Sequence, residues 1–172
     1  MTVEIRPLRP ADDRTGFGSG DAALDLFLQR YAGQNQFRHH IGVTYVAVDN
    51  QRIQGYVTVS PGSVDVEELP AERGMPPYPI PVLRIARLAV DRRYGGRGLG
   101  KALLRFCIEL AERMRDELGC VGLLVDAKPE AVSYNEHFGF ESIDAMEGAT
   151  LQRPAPTPMF LALGAVPRRR DQ

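Results

Sequence analysis

The stretch Leu83-Arg84-Ile85-Ala86-Arg87-Leu88-Ala89-Val90-Asp91-Arg92-Arg93-Tyr94-Gly95-Gly96-Arg97-Gly98-Leu99-Gly100-Lys101-Ala102-Leu103-Leu104 decides the fold. Its apolar first part reads as a buried strand, its four glycines within six residues as a turn, and the periodic segment from Leu99 as a helix. Glycine lets the backbone approach a ligand and take positive φ, so the amides of Arg97 to Lys101 can converge at the positive end of a helix dipole. A strand that feeds such a loop into a helix binds an anion, most simply a phosphate.

Two phosphate-binding loops are excluded by what the motif lacks. A magnesium-nucleotide loop needs Ser or Thr after Gly-Lys, and here Gly100-Lys101 is followed by Ala102. A dinucleotide fold places its glycines after the first strand, with an acidic residue about twenty positions on to hold a ribose. Here the loop follows several strand-like segments, and the acidic residues near that offset, Asp116 and Glu117, fall inside the same helix.

Gly95-Gly96-Arg97-Gly98-Leu99-Gly100 resembles the pyrophosphate loop of the GNAT acetyltransferases, whose usual form is Gln or Arg, Gly, any, Gly, Ile or Leu, Gly. Gly95 stands where the family has Gln or Arg. Downstream, Ala131-Val132-Ser133-Tyr134-Asn135-Glu136-His137-Phe138-Gly139-Phe140 is similar to the family's second signature, a short helix ending in Phe-Gly-Phe. Two signatures in order, separated by a helix and a strand, are more specific than either alone.

The resemblance implies an α/β (α+β) GNAT fold: a mixed central sheet flanked by helices, its middle strands splayed so that a pantetheine arm enters between them. It implies acetyl-CoA (coenzyme A) as cofactor, with Leu88, Ala89 and Val90 hydrogen-bonding the arm through their backbone and Arg92, Arg93, Gly95, Gly96, Arg97, Gly98, Leu99, Gly100 and Lys101 forming the phosphate grip. The thioester is then expected near Arg87 and Leu88, and Arg87 and Arg84 are candidates for substrate binding. In many relatives a Tyr in the second signature protonates the departing thiolate. Here Tyr134 sits one place early and Asn135 holds that position. One residue along a helix is about 100° of rotation, so the two cannot project into one spot. Tyr134 as the acid, or Asn135 on the arm with water as the acid, are both open readings.

Composition agrees with a globular enzyme. The chain has 172 residues, 44% hydrophobic and 25% charged, enough for one domain with a sizeable core. A single domain over 1–172 is expected, with 167–172 a loose tail. Met-Thr-Val-Glu-Ile-Arg-Pro does not read as a signal peptide, and no apolar run approaches the roughly 20 residues of a membrane span, so a cytoplasmic, membrane-free protein is expected. Cys107 and Cys120 lack the spacing of a zinc site and the neighbours of a nucleophile, and read as core thiols. Net charge is only −1, yet nine basic residues face three acidic ones between Arg84 and Arg115. That local excess suits a phosphorylated cofactor, although Arg105, Arg113 and Arg115 read as the solvated face of a helix.

The remaining elements follow from periodicity and punctuation. Val3 to Leu8 reads as a strand, and Asp21 opens a helix with Leu24, Phe27, Leu28 and Tyr31 on one face. Thr44 to Asp49 and Arg52 to Ser60 form a hairpin over Asn50-Gln51, which Val64 to Val66 extends. Glu67 to Pro81, with five prolines, reads as a loop, and Val82 to Val90 is the signature strand. A helix from Leu99 to about Leu118 puts Leu99, Leu103, Phe106, Leu110 and Met114 on its core face and ends at Gly119. Then come a strand at Val121 to Asp126, a helix at Pro129 to His137 and a strand at Gly139 to Ile143. After a loop marked by Pro154, Pro156 and Pro158, Thr157 to Leu163 closes the sheet.

The amino-terminal half narrows the branch. Phe17-Gly18-Ser19-Gly20-Asp21, Leu24-Asp25-Leu26-Phe27-Leu28, Ala32, Asn35-Gln36, Thr44-Tyr45-Val46-Ala47, Gly55-Tyr56 and Tyr78-Pro79-Ile80-Pro81-Val82 resemble the GNAT toxins of type II toxin-antitoxin pairs. That likeness implies acetylation of the α-amine of aminoacyl-tRNA, a ribbon-helix-helix antitoxin as partner, and a homodimer. Arg38, His39, His40, Arg84, Arg87 and the final arginines supply basic charge for RNA. A pI near 6.3 and the acidic Asp65, Glu67 and Glu68 suit instead a cationic small-molecule or peptide amine. A catalytically impaired protein that only binds coenzyme A is the third reading.

Overall fold

The computed structural model describes residues 2–65, 79–143 and 156–165. They form a mixed α/β structure with a seven-stranded mixed sheet in the order β1-β2-β3-β4-β5-β7-β6. The strands are β1 (Glu4–Pro7), β2 (Val43–Asp49), β3 (Arg52–Val64), β4 (Ile80–Val90), β5 (Gly122–Ala127), β6 (Glu141–Ser142) and β7 (Thr157–Ala162). The helices are α1 (Ala22–Leu26), α2 (Leu99–Glu117) and α3 (Val132–His137). The chain divides into two compact units, Met1–Ser60 with Ile85–Glu109, and Pro61–Arg84 with Leu110–Gln172.

In the first unit, β1 and β3 pair antiparallel with β2. The β2–β3 hairpin turns on Asn50 and Gln51, both at positive φ (49° and 63°), the handedness that matches strand twist. Asp21 caps α1 as the sequence predicts, its carboxylate accepting from the amides of Ala23 (3.0 Å) and Leu24 (3.3 Å). The chain then continues in π-helical turns over Phe27–Tyr31 and Gln34–Arg38. This wider winding changes the facing: Phe27 and Leu28 are buried, but Tyr31, expected on the same side, is 44% exposed. Phe17, Phe27 and Tyr56 make an aromatic cluster in the core with Leu8, Leu28 and Ala89. Buried Tyr56 donates its hydroxyl to the Leu24 carbonyl at 2.6 Å.

The second unit builds its core from Val64, Ile80, Val82, Ile143 and Phe160. Here β7 pairs antiparallel with both β5 and β6, so β6 is the edge and β7 lies inside it. Pro81, expected in a loop, lies in β4, and Pro158, which marks the loop before the expected Thr157–Leu163 strand and also falls within it, lies in β7; both contribute through their carbonyls. Pro81 O accepts from Val121 N–H (2.9 Å) and Pro158 O from Ile143 N–H (2.9 Å). Proline lacks only the donor, so it is tolerated where the acceptor is what the ladder uses. Residues 66–78, most of the expected proline loop, lie outside the described residues, as do Pro154 and the tail from 166.

Helix α2 runs from Leu99 as expected, and Gly119 (φ +108°) ends it, its amide and that of Leu118 both binding Met114 O at 2.8 Å. Its face is turned from the predicted one. Leu103, Leu104, Cys107 and Ala111 are the deeply buried positions, while Phe106, Leu110 and Met114 are half-buried. Phe106 lies instead against Tyr45 of β2, ring centroids 4.6 Å apart.

Candidate functional site

Strand β4 ends at Val90, and Arg92–Tyr94 form a single 3-10 turn capped by the Asp91 side chain. Gly95 is extended, and Gly96 and Gly98 take φ of +74° and +78°. Only glycine enters this region without cost, so two sign changes of φ in three residues explain the glycine pattern. Among the described residues, a Cβ built on either glycine meets nothing within 4 Å, so open space rather than packing lies over them. The first helical bond of α2 runs from Ala102 N–H to Gly98 O (3.0 Å). The amides of Leu99, Gly100 and Lys101 therefore precede the hydrogen-bond ladder and sit at the positive pole of a 19-residue helix. Arg92, Arg97 and Lys101 are exposed around them. Amides that precede the helical ladder, open space and flanking cations suit a diphosphate.

Not every predicted cation faces that space. The Arg93 guanidinium closes on the Asp91 carboxylate (Nη2 2.9 Å, Nε 3.1 Å) and on the Gly16 carbonyl (2.9 Å). The Arg93 hydrogen bonds pull the Asp91 carboxyl down to about 2, against the opposing effect of its burial. Arg97 and Arg93 both lie over the Tyr94 ring, at 5.5 Å and 5.6 Å. Asp91 and the segment around Gly18 were not singled out as functional from sequence; the available signal was an Asp after a strand with an amide to cap two residues on.

Farther up β4, Leu88 and Val90 are half-buried and Ala89 is buried. Gly55 allows β3 to approach here: a Cβ on it would sit 3.1 Å from Ala89 O and 3.2 Å from Leu103 Cδ1. Arg87 lies over the Phe27 ring, its guanidinium carbon 3.8 Å from the centroid. In the second unit, Arg84 pairs with Asp126 at 3.0 Å, both partly exposed.

The second signature is a 3-10 turn, Pro129–Ala131, leading into α3. Asn135 is buried, and its main-chain carbonyl accepts from Phe138 and Phe140, closing the turn into Phe-Gly-Phe. Gly139 (φ +98°) makes that turn. Tyr134 is exposed, its ring is tilted by 55° against that of Phe138, and the pKa of its phenol is raised by partial burial.

A family model described as "Acetyltransferase (GNAT) domain" matches residues 40–142. The chain belongs to the GNAT acetyltransferases. A tRNA-acetylating toxin of Mycobacterium tuberculosis is 37% identical over 138 residues, 79% of this chain and 82% of the relative. Among solved structures, AtaT complexed with acetyl-methionyl-tRNAfMet matches with a TM-score of 0.83 at 24% identity, covering 95% of this chain and 96% of the other. AtaTR bound with AcCoA matches at 0.78 and 25% identity, covering 94% of each. As a GNAT enzyme the chain is an acetyl-CoA-dependent N-acetyltransferase. The open, glycine-lined start of α2 with its exposed cations fits the diphosphate of that donor.

Proposed function

We propose that the chain acetylates the α-amine of aminoacyl-tRNA and so acts as a toxin that stops translation. The observation that carries this reading is the free-amide start of α2 in a chain 37% identical to a tRNA-acetylating toxin. Bound acetyl-CoA supplies the activated acetyl thioester. The amides of Arg97 to Lys101 hold the diphosphate, with Gly95, Gly96 and Gly98 leaving room for it and Arg92, Arg97 and Lys101 offsetting its charge. The backbone of Leu88, Ala89 and Val90 takes the pantetheine arm in the manner of an added strand.

Arg87, lying over the Phe27 ring, receives the acceptor's phosphate-rich end. Arg84 is a second candidate for holding the acceptor. The acceptor amine attacks in its neutral form, and a donor to the oxyanion and a proton for the thiolate complete the transfer. Tyr134 gives that proton from its hydroxyl, whose pKa partial burial raises, and the proton that the acylated nitrogen sheds returns to the phenolate, so the phenol ends neutral. Asn135, one position on and buried, holds the helix and the arm rather than the proton.

In this reading the enzyme works as a homodimer in the cytoplasm, where charged tRNA is found, and a ribbon-helix-helix antitoxin restrains it. Among the described residues no helix is long and apolar enough to cross a membrane. A cell-free translation reaction tests the proposal: the protein with acetyl-CoA stops synthesis, and fresh charged tRNA restores it. Synthesis that proceeds unchanged would contradict it.

A further inference from the structure

The glycine loop is fastened on one side and open on the other. Asp91 is 1% exposed, and its carboxylate is fully engaged. Oδ2 accepts from Gly18 N–H (3.0 Å) and Arg93 Nη2 (2.9 Å), and Oδ1 from the Arg93 amide (2.9 Å) and Nε (3.1 Å). The surrounding main chain repeats the tie: Asp91 N–H donates to Gln54 O (2.8 Å) and Arg92 N–H to Gly18 O (2.9 Å). Arg93 also reaches Gly16 O. The entry to the loop is thus joined to two segments distant in sequence, while Gly96 and Gly98 face open space.

We propose that Asp91 is a positioning residue for the acyl-donor grip. It fixes the direction in which the backbone leaves β4, and with it the aim of the amides that follow. Arg93 serves this clamp rather than the phosphate. Donors held in place before the ligand arrives bind it without first being ordered, and a misaimed amide loses its hydrogen bond. A residue that only held the fold would act on every part of the donor alike. One that aims the amides acts on the diphosphate alone.

The inference rests on coenzyme A being the bound donor, which titration of the unaltered chain establishes independently of any acceptor. Full-length Asp91→Asn is titrated with coenzyme A and with pantetheine, which lacks the diphosphate. Its Kd for coenzyme A rises about tenfold or more, and that for pantetheine stays within about twofold. Arg93→Lys keeps the charge but loses the two-pronged contact, so it weakens coenzyme A in the same selective way. Because the Arg93 side chain is 53% exposed, this second variant leaves the core intact and decides the matter where Asp91→Asn does not fold. Equal weakening of both ligands, or coenzyme A affinity retained in Arg93→Lys, would overturn the proposal.

Discussion

Tyr134 is 45% exposed on α3 with its ring 5.1 Å from that of Phe138, while Asn135, the next residue, is 6% exposed. Two adjacent helical positions thus divide between surface and interior. The one that matches the family's usual tyrosine position is the buried amide, and the hydroxyl lies on the outer side. An amide has no proton to give a thiolate, so in the proposed mechanism the acid is Tyr134 and Asn135 is the support.

Tyr134→Phe removes the hydroxyl and keeps the ring contact with Phe138. The expected result is a fall in kcat of about 100-fold, with the KM for acetyl-CoA nearly unchanged. Steady-state thiol release checks it. Full turnover in the variant would leave Tyr134 as a packing residue.

Gly98→Val places a branched side chain at φ +78° and into the open space over the loop. The strain costs about 1–3 kcal/mol, lowering the melting temperature by several degrees. Acetyl-CoA raises the melting temperature of the unaltered chain by mass action, and that rise is absent in the variant. A rise of normal size in Gly98→Val would remove the loop from the donor site.

Asp91 gives a pH signature. Its folded pKa of about 2 lies below the unfolded carboxylate value near 4, so its contribution to stability is complete above about pH 4 and is lost as pH falls toward 2. Thermal melts should show Asp91→Asn less stable than the unaltered chain at pH 7, with the gap narrowing across that window. A gap independent of pH would mean that the carboxylate is not charged in the fold.

The two thiols predict an inert background. Burial pushes Cys107 up to about 12, and it raises Cys120, whose Sγ donates to Gly122 O at 3.3 Å. Because the thiolate is the reactive form, native protein near pH 8 should leave dithiobis(nitrobenzoate) colourless, with both thiols reacting in denaturant. Rapid native labelling would contradict the buried placement.

The elements that sequence disclosed are those with strong local signals. Asp21 as a cap, Asn50-Gln51 as a turn, Gly119 as a stop and the glycine loop each rest on the chemistry of one or a few neighbouring residues, and each stands in the structure. What local pattern missed was set by distant partners. The face of α2 depends on Tyr45 meeting Phe106, and the facing of Tyr31 on a π-helical winding that a 3.6-residue period does not foresee. Pro81 and Pro158 became strand residues because a neighbour needed their carbonyls. At the site, the glycine loop was legible, but the joint from Asp91 to Gly18 spans 73 positions and no local spacing announces it.

The central claim is that the amides opening α2 grip an acyl donor whose acetyl group passes to the amine of a charged tRNA. Labelled acetyl-CoA, offered together with aminoacyl-tRNA and a panel of small amines and peptides, tests it most directly. Label is expected on the aminoacyl group, released with it on mild deacylation and absent in Gly98→Val. Label appearing only on a small amine or peptide, with charged tRNA untouched, would contradict it.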